Sequence, residues 1–221
     1  LANVTVTEDF MMDDQSLASV ITGNINVGGK LLMNGGNLDL LLAGEKSSSI
    51  GTVSIQQGNL SISAPVGDGP RVVSASAITV DHEDSCLDLT NVNLNLNEGN
   101  GTLLLNGGTD PQKSYEQLRL NNSLVTGNVT ILDRNSAKVS SSATITGTMT
   151  VNGNLEVNGS GTLTLGNLAI VGVDADAAAM AWAGGELLVN GETSLSHGSL
   201  SLISGKDSLG RLGTVAMSDG S

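Results

Sequence analysis

The chain has 221 residues, a formal net charge of −13 and 39% hydrophobic residues, yet Phe10, Tyr115 and Trp182 are its only aromatic side chains. A surface with 22 acidic against 9 basic residues repels phosphate backbones and anionic membranes, which excludes nucleic acid as a partner. A core so poor in rings must be narrow enough for Leu, Val, Ile and Met to fill alone, which argues against the ~10 Å interior of a β-sandwich.

The first elements read GNINV (23–27), GKLLMNG (29–35) and GNLDL (36–40), each a glycine, one other residue, then apolar–any–apolar. GTVSI (51–55) and GNLSI (58–62) repeat the phrase. Strict alternation over four or five residues, bounded by Asn-Gly, predicts a half-buried strand. A helix would lose about 1 kcal/mol at each of these glycines. GDGP (67–70) reads as a turn, and DHEDSC (81–86) as a polar excursion between strands. In NVNLNLNEGN (91–100) the pattern predicts Asn91, Asn93, Asn95 and Asn97 on one face as a hydrogen-bonded ladder, with Val92, Leu94 and Leu96 on the other.

GTLLLNG (101–107) resumes the phrase, and TDPQKSYEQLRLNN (109–122) interrupts it. Asp110-Pro111 is an N-cap and first-turn signal, so a short helix or loop excursion is expected there. GNVTI (127–131), GTMTVNG (147–153), GNLEVNG (153–159) and GNLAI (166–170) follow. DADAAAMAWAGG (174–185) is helix-friendly in composition and predicts a lateral loop carrying Trp182. GELLVNG (185–191), SLSHGSL (194–200) and GTVAM (213–217) complete the series.

Asn-Gly between alternating runs is also a hairpin signal, which would give an antiparallel meander. Strands of four residues would leave such sheets thin and wanting rings. Asn and Gly serve equally at the corners of a coil, where the backbone visits left-handed conformations. The same position returns after about 20 residues, as from Gly127 to Gly147, Gly166 and Gly185. The fold expected is therefore all-β: one right-handed parallel β-helix over residues 1–221, with about ten turns of roughly 19–22 residues. Excursions fall near 81–86, 109–122 and 174–185, and Tyr115 and Trp182 are the candidate contact residues on two of them. The pattern is already running at Leu1 and still running near Ser221, so a segment of a longer chain is expected. No apolar run approaches the ~18–20 residues that span a bilayer, so no direct membrane insertion is expected.

Ionisable residues cluster densely only at Asp81, His82, Glu83 and Asp84. Carboxylate and imidazole can ligate a metal, making His82, Glu83 and Asp84 the candidates, but adjacent loop residues rarely converge on one ion. The expectation is a solvated acidic loop, with no metal and no cofactor. Cys86, a lone cysteine, reads as a small buried residue. His197 reads as a surface ladder residue rather than a base. Glu8, Asp9, Asp13, Asp14, Asp39, Asp88 and Asp133 could in principle supply a polysaccharide-cleaving carboxylate pair, although such clefts also use aromatic platforms. Thr5/Thr7, Thr144/Thr146, Thr148/Thr150 and Thr162/Thr164 are too unevenly spaced for a flat ice-binding array.

GTLTLGNL (161–168) and GTLLLNG (101–107) resemble the glycine-rich strand repeats of bacterial autotransporter passenger domains. The resemblance covers most of residues 17–217 and is one of composition and period. It lacks the tyrosine-containing half of the associated repeat and the C-terminal membrane barrel. It implies a non-catalytic structural or adhesive stalk, secreted or held at a bacterial cell surface or outer membrane. The implied partner is a host or neighbouring-cell surface protein or glycan, or another copy of the chain. No active-site residue of a known family has a counterpart to carry over.

Overall fold

The computed structural model describes residues 2–14, 18–43, 47–67, 69–107, 115–132, 135–157, 161–172, 178–183, 185–203 and 210–218. Every strand pairing among them is parallel, and the pairings join successive turns of a single coil into one continuous β-solenoid. Antiparallel hairpins are thereby replaced by corners. Among the described residues eight turns carry all three faces, fewer complete turns than the roughly ten expected, and the turns at either end show two.

The first face stacks Ala2–Val6, the starts of Ala18–Leu41, Ser48–Ser63 and Arg71–Val80, then Val92–Leu96, Ser123–Thr126 and their successors. The second stacks Phe10–Met12, residues 31–33, 52–55 and 77–80, then Thr102–Leu105, Asn128–Ile131 and onward to Thr214–Ser218. The third stacks residues 37–41 and 59–63, then Cys86–Thr90, Tyr115–Asn121, Asn135–Val139, Asn154–Val157, Ala178–Ala183 and Gly198–Ile203.

Alternation along each strand sends every second side chain inward, and parallel register then aligns those side chains into columns. One column runs Phe10, Leu31, Val53, Ile78, Leu103, Val129, Met149, Leu168. Another runs Leu38, Leu60, Leu87, Leu118, Ala137, Leu155, all fully buried. Aliphatic and methionine side chains fill nearly all of this tube, with Phe10 packed against it in the first turn and Tyr115 buried in a later one, which explains how 221 residues fold with so few rings. Turn length is less uniform than the period of about 20 implies. Thr148 reaches the turn before at a separation of 20 residues, but Asn122 does so at 31.

Why the phrase begins with glycine is visible at the corners. Glycines stack directly on one another, with Gly147 N–H donating to Gly127 O at 3.1 Å and Gly191 N–H to Gly166 O at 2.7 Å. A Cβ on Gly58, which sits at φ +99°, would lie 2.0 Å from the Gly36 carbonyl oxygen in the turn below. The asparagine that follows binds the adjacent turn: Asn59 Nδ2 donates to Asn37 Oδ1 at 2.9 Å, and the Thr148 N–H donates to Asn128 Oδ1 at 2.9 Å.

Four local expectations are corrected. Asn93 and Asn95 face outward, but Asn91 and Asn97 are corner residues at φ +57° and +42°, not rungs of the same ladder. Asn91 Nδ2 instead donates to Pro65 O at 2.8 Å, and Asn91 Oδ1 accepts from Asn122 Nδ2 at 3.0 Å. In 109–122, residues 109–114 lie outside the described residues, while Tyr115–Asn121 is a strand with Tyr115 buried. In 174–185, residues 174–177 and 184 are likewise outside, while Ala178–Ala183 is a strand that places Trp182 in register between Val157 and Leu202. Tyr115 and Trp182 are therefore strand residues and not loop contacts. His197 is an exposed corner residue at φ +54°, because the chain turns there between Glu192–Ser196 and Gly198–Ile203.

Candidate functional site: a charged cleft on the third face

The loop at 81–86 stands beside the third face and forms one wall of a cleft of about 400 Å³, lined by Asn59, Ser61, Glu83, Asp84, Asp88, Glu116 and Arg119 among others. The loop is fixed by its own turn, in which the Ser85 N–H donates to His82 O at 3.1 Å and the Asp84 N–H to His82 Nδ1 at 3.2 Å. A second anchor comes from the next turn. Register shifts by one residue between Ser136 and Ala137, leaving Gln117 as a bulged extra residue turned into the interior. Its Nε2 donates to His82 O at 2.7 Å, and its Oε1 accepts the Gly107 N–H at 3.4 Å.

The cleft lies over a column of outward side chains on the third face, Asp39, Ser61, Asp88, Arg119, Lys138 and Glu156, one per turn, of which Ser61, Asp88 and Arg119 line it. The column's two cations, Arg119 and Lys138, sit between Asp88 on one side and Glu156 on the other. Arg119 Nε donates to Glu116 Oε1, which holds the guanidinium pKa above its ordinary value. Lys138 Nζ lies 3.8 Å from Glu116 and 4.0 Å from Glu156, bridging two turns. Asp88 accepts the Thr90 hydroxyl at 3.1 Å. Cys86 lies at the margin, 7% exposed. Burial, then the Asp88 and Glu116 carboxylates, push its thiol up to about 11 against the pull of Arg119. A protonated, buried thiol is a poor nucleophile.

The candidate residues of the sequence are thus distributed as follows. Glu83 and Asp84 line the cleft, whereas the His82 ring is turned toward its own loop backbone. Among the described residues no three of His, Cys, Asp and Glu are grouped so as to hold a metal ion. Asp39 and Asp88 share one outward column, separated by Ser61, and only Asp88 lines the cleft. Asp9 and Asp13 are far along the coil in the first turn, where Asp9 Oδ1 accepts the Lys30 N–H at 2.7 Å and Asp13 Oδ1 accepts from Asn34 Nδ2 at 2.7 Å. Asp133 lies outside the described residues. Glu116, Arg119, Lys138 and Glu156 were not singled out by sequence. Their signal is the alternation of YEQLRLN against NSAKV and NLEV, readable only once register is known.

Threonines do not build a flat array either. Thr144 stacks on Thr164 and Thr130 on Thr150, but Leu124, Leu188 and Ala169 interrupt the columns. Fold and surface place the chain in the class of parallel β-solenoids. Comparison with known proteins adds no narrower assignment, since no family model, curated protein or solved structure matches it.

Proposed function

We propose that the chain is a non-catalytic structural or adhesive stalk of a bacterial secreted or cell-surface protein of the autotransporter-passenger kind. The observation that carries this reading is the parallel stacking of short strands, turn on turn, among the described residues, which makes a stiff spacer whose outward side chains mix Asn, Ser and Thr with a charged column on the third face. Each turn adds ~4.8 Å of length, so the coil extends reach at little cost in sequence complexity. Inter-turn ion pairs and amide ladders stiffen such a rod from outside.

A second reading, a polysaccharide-active β-helix, is favoured by one feature: Asp84, Asp88 and Glu116 share a cleft with Arg119. In the stalk reading these carboxylates are members of the charge ladder and do no chemistry. The two are separated by incubating the chain with neutral and uronate polysaccharides while following reducing ends and unsaturated products. No release above the blank is expected, with adhesion of chain-coated beads to cell or glycan-coated surfaces. Steady release that disappears in Glu116→Gln would transfer the protein to the enzymes.

A further inference from the structure

The coil departs from regularity at a second place, on the corner between the first and second faces. In the later turns that corner is a tight glycine stack, Gly127, Gly147, Gly166 and Gly191. At 97–100 the chain instead swings outward in a short 3₁₀ arm, closed by the Asn100 N–H to Asn97 O at 3.0 Å and the Gly101 N–H to Leu96 O at 2.9 Å. Asn97, Glu98 and Gly99 take φ of +42°, +52° and +93°, three left-handed residues in succession. For Glu98 that conformation is unfavourable, and glycine would remove the strain.

The arm overhangs a groove of about 410 Å³ across the three preceding turns. Ser49, Ser74, Ser76, Asn95, Asn97 and Glu98 contribute its polar lining, with Gly28 and Gly51 beneath. Ser49, Ser74 and Asn95 are consecutive rungs of one outward column. The Asn95 side-chain oxygen is shielded from solvent and has no hydrogen-bond partner. A buried acceptor left without a donor is destabilising, and in native proteins such a group calls for an explanation. Among the described residues no Lys, Arg or aromatic side chain lines the groove.

We infer that this groove is a binding site for a neutral, hydroxyl-rich ligand, a short segment of uncharged glycan. The lining chemistry selects it. Serine hydroxyls accept and donate, the Asn97 amide and the Glu98 carboxylate offer acceptors, and a sugar supplies several hydroxyl donors at once. With no cation in the groove and a net charge of −13 on the chain, a uronate or sulfated saccharide is repelled. The volume lies within the ~300–1,000 Å³ range of small-ligand sites, toward its lower end, which suits one or two sugar rings. Strain at Glu98 is explained in the same stroke, because only the swung-out arm holds that carboxylate over the groove. This site gives the adhesive stalk its partner class, and so rests on that reading.

The test is an NMR titration of the full chain with neutral oligosaccharides, uronate oligosaccharides and spermidine, with product analysis on the same samples. Neutral sugars should shift the amides of Ser49, Ser74, Ser76, Asn95 and Gly99, and the other two probes should not. Ser74→Leu, an outward substitution that fills the groove, should abolish the shifts, while Glu98→Gln weakens binding about tenfold. Glu98→Gly should raise the melting temperature and lose binding together, an outcome that a purely structural arm would not give. Shifts absent with every neutral sugar, located elsewhere, or produced by spermidine alone overturn the groove assignment. Cleavage of any saccharide would instead overturn the stalk reading, whether or not the groove shifts.

Discussion

Gly58 carries two separate constraints, a φ of +99° and a carbonyl oxygen 2.0 Å from where its Cβ would sit. Gly67 shares the first, at φ +107°, but has nothing within 4 Å of that position. The pair therefore separates backbone strain from collision. Gly67→Ala should cost about 1 kcal/mol, the left-handed penalty alone, whereas Gly58→Ala should cost about 3 kcal/mol or more, because adjacent turns must part. Urea unfolding of both variants checks this, and equal losses would mean that corner stacking contributes little. Cys86 gives a prediction in pH. Its thiol is raised from 9.0 to about 11 in the folded chain, so the fold prefers the protonated form. The unfolded chain then binds fewer protons between pH 9 and 11, and stability falls as pH rises through that window. Its contribution is fully present below pH 9. Thiol labelling at pH 8 should be slow in the folded chain and fast in denaturant, and Cys86→Ala should flatten the loss of stability above pH 9. Rapid labelling of the folded chain would show the thiol to be accessible.

At the scale of the element, alternation was legible wherever one residue in two is apolar, because burial in a narrow tube imposes a period of two. GNLSI, GTLLL and GNVTI each become a strand with alternate residues buried, Leu60 and Ile62, Leu103 and Leu105, and Val129 and Ile131. Parallel pairing followed from the same phrases only through the short strands and missing rings, since Asn-Gly speaks equally for a hairpin. Two strands were misread for identifiable reasons. In YEQLRL the bulge at Gln117 puts two inward residues side by side, which breaks the alternation that a strand should show. In AAMAWA the helix preference of alanine is overridden by pairing with Asn154–Val157 and Gly198–Ile203 on either side. Asn91 and Asn97 kept the alternation going in sequence while the backbone turned, because asparagine tolerates the left-handed region that a corner requires. The cleft was half legible. Its loop announced itself as a run of charge, but Asn59, Ser61, Glu116 and Arg119 come from the turns on either side and are brought beside Asp88 by register alone. The energy of the charged column is small, since exposed ion pairs such as Lys138 with Glu156 contribute at most about 1 kcal/mol each.

The molecule as a whole is one-dimensional: apart from its own residues, each turn rests chiefly on the turn before and the turn after. Stability in such a coil is a sum of turn energies and nearest-neighbour interfaces, so damage should stay local. Ile145 tests this cleanly, because it is fully buried and its register partners are Val125 below and Leu165 above. Ile145→Ala removes buried methyl groups and should cost about 2–5 kcal/mol locally. Hydrogen exchange should then accelerate in Ser123–Thr126, Ser142–Val151 and Thr162–Val171. Amides in residues 22–41 and 48–63, several turns away, should keep their protection, because no contact carries the loss to them. In a globular core of the same size, one cavity would lower protection almost everywhere, through a single cooperative unfolding. An even loss along this chain would mean that its turns unfold together. The charge ladder and asparagine columns would then be coupling the coil over distances greater than one turn, and the rod would owe its stiffness to its outer surface as much as to its aliphatic tube.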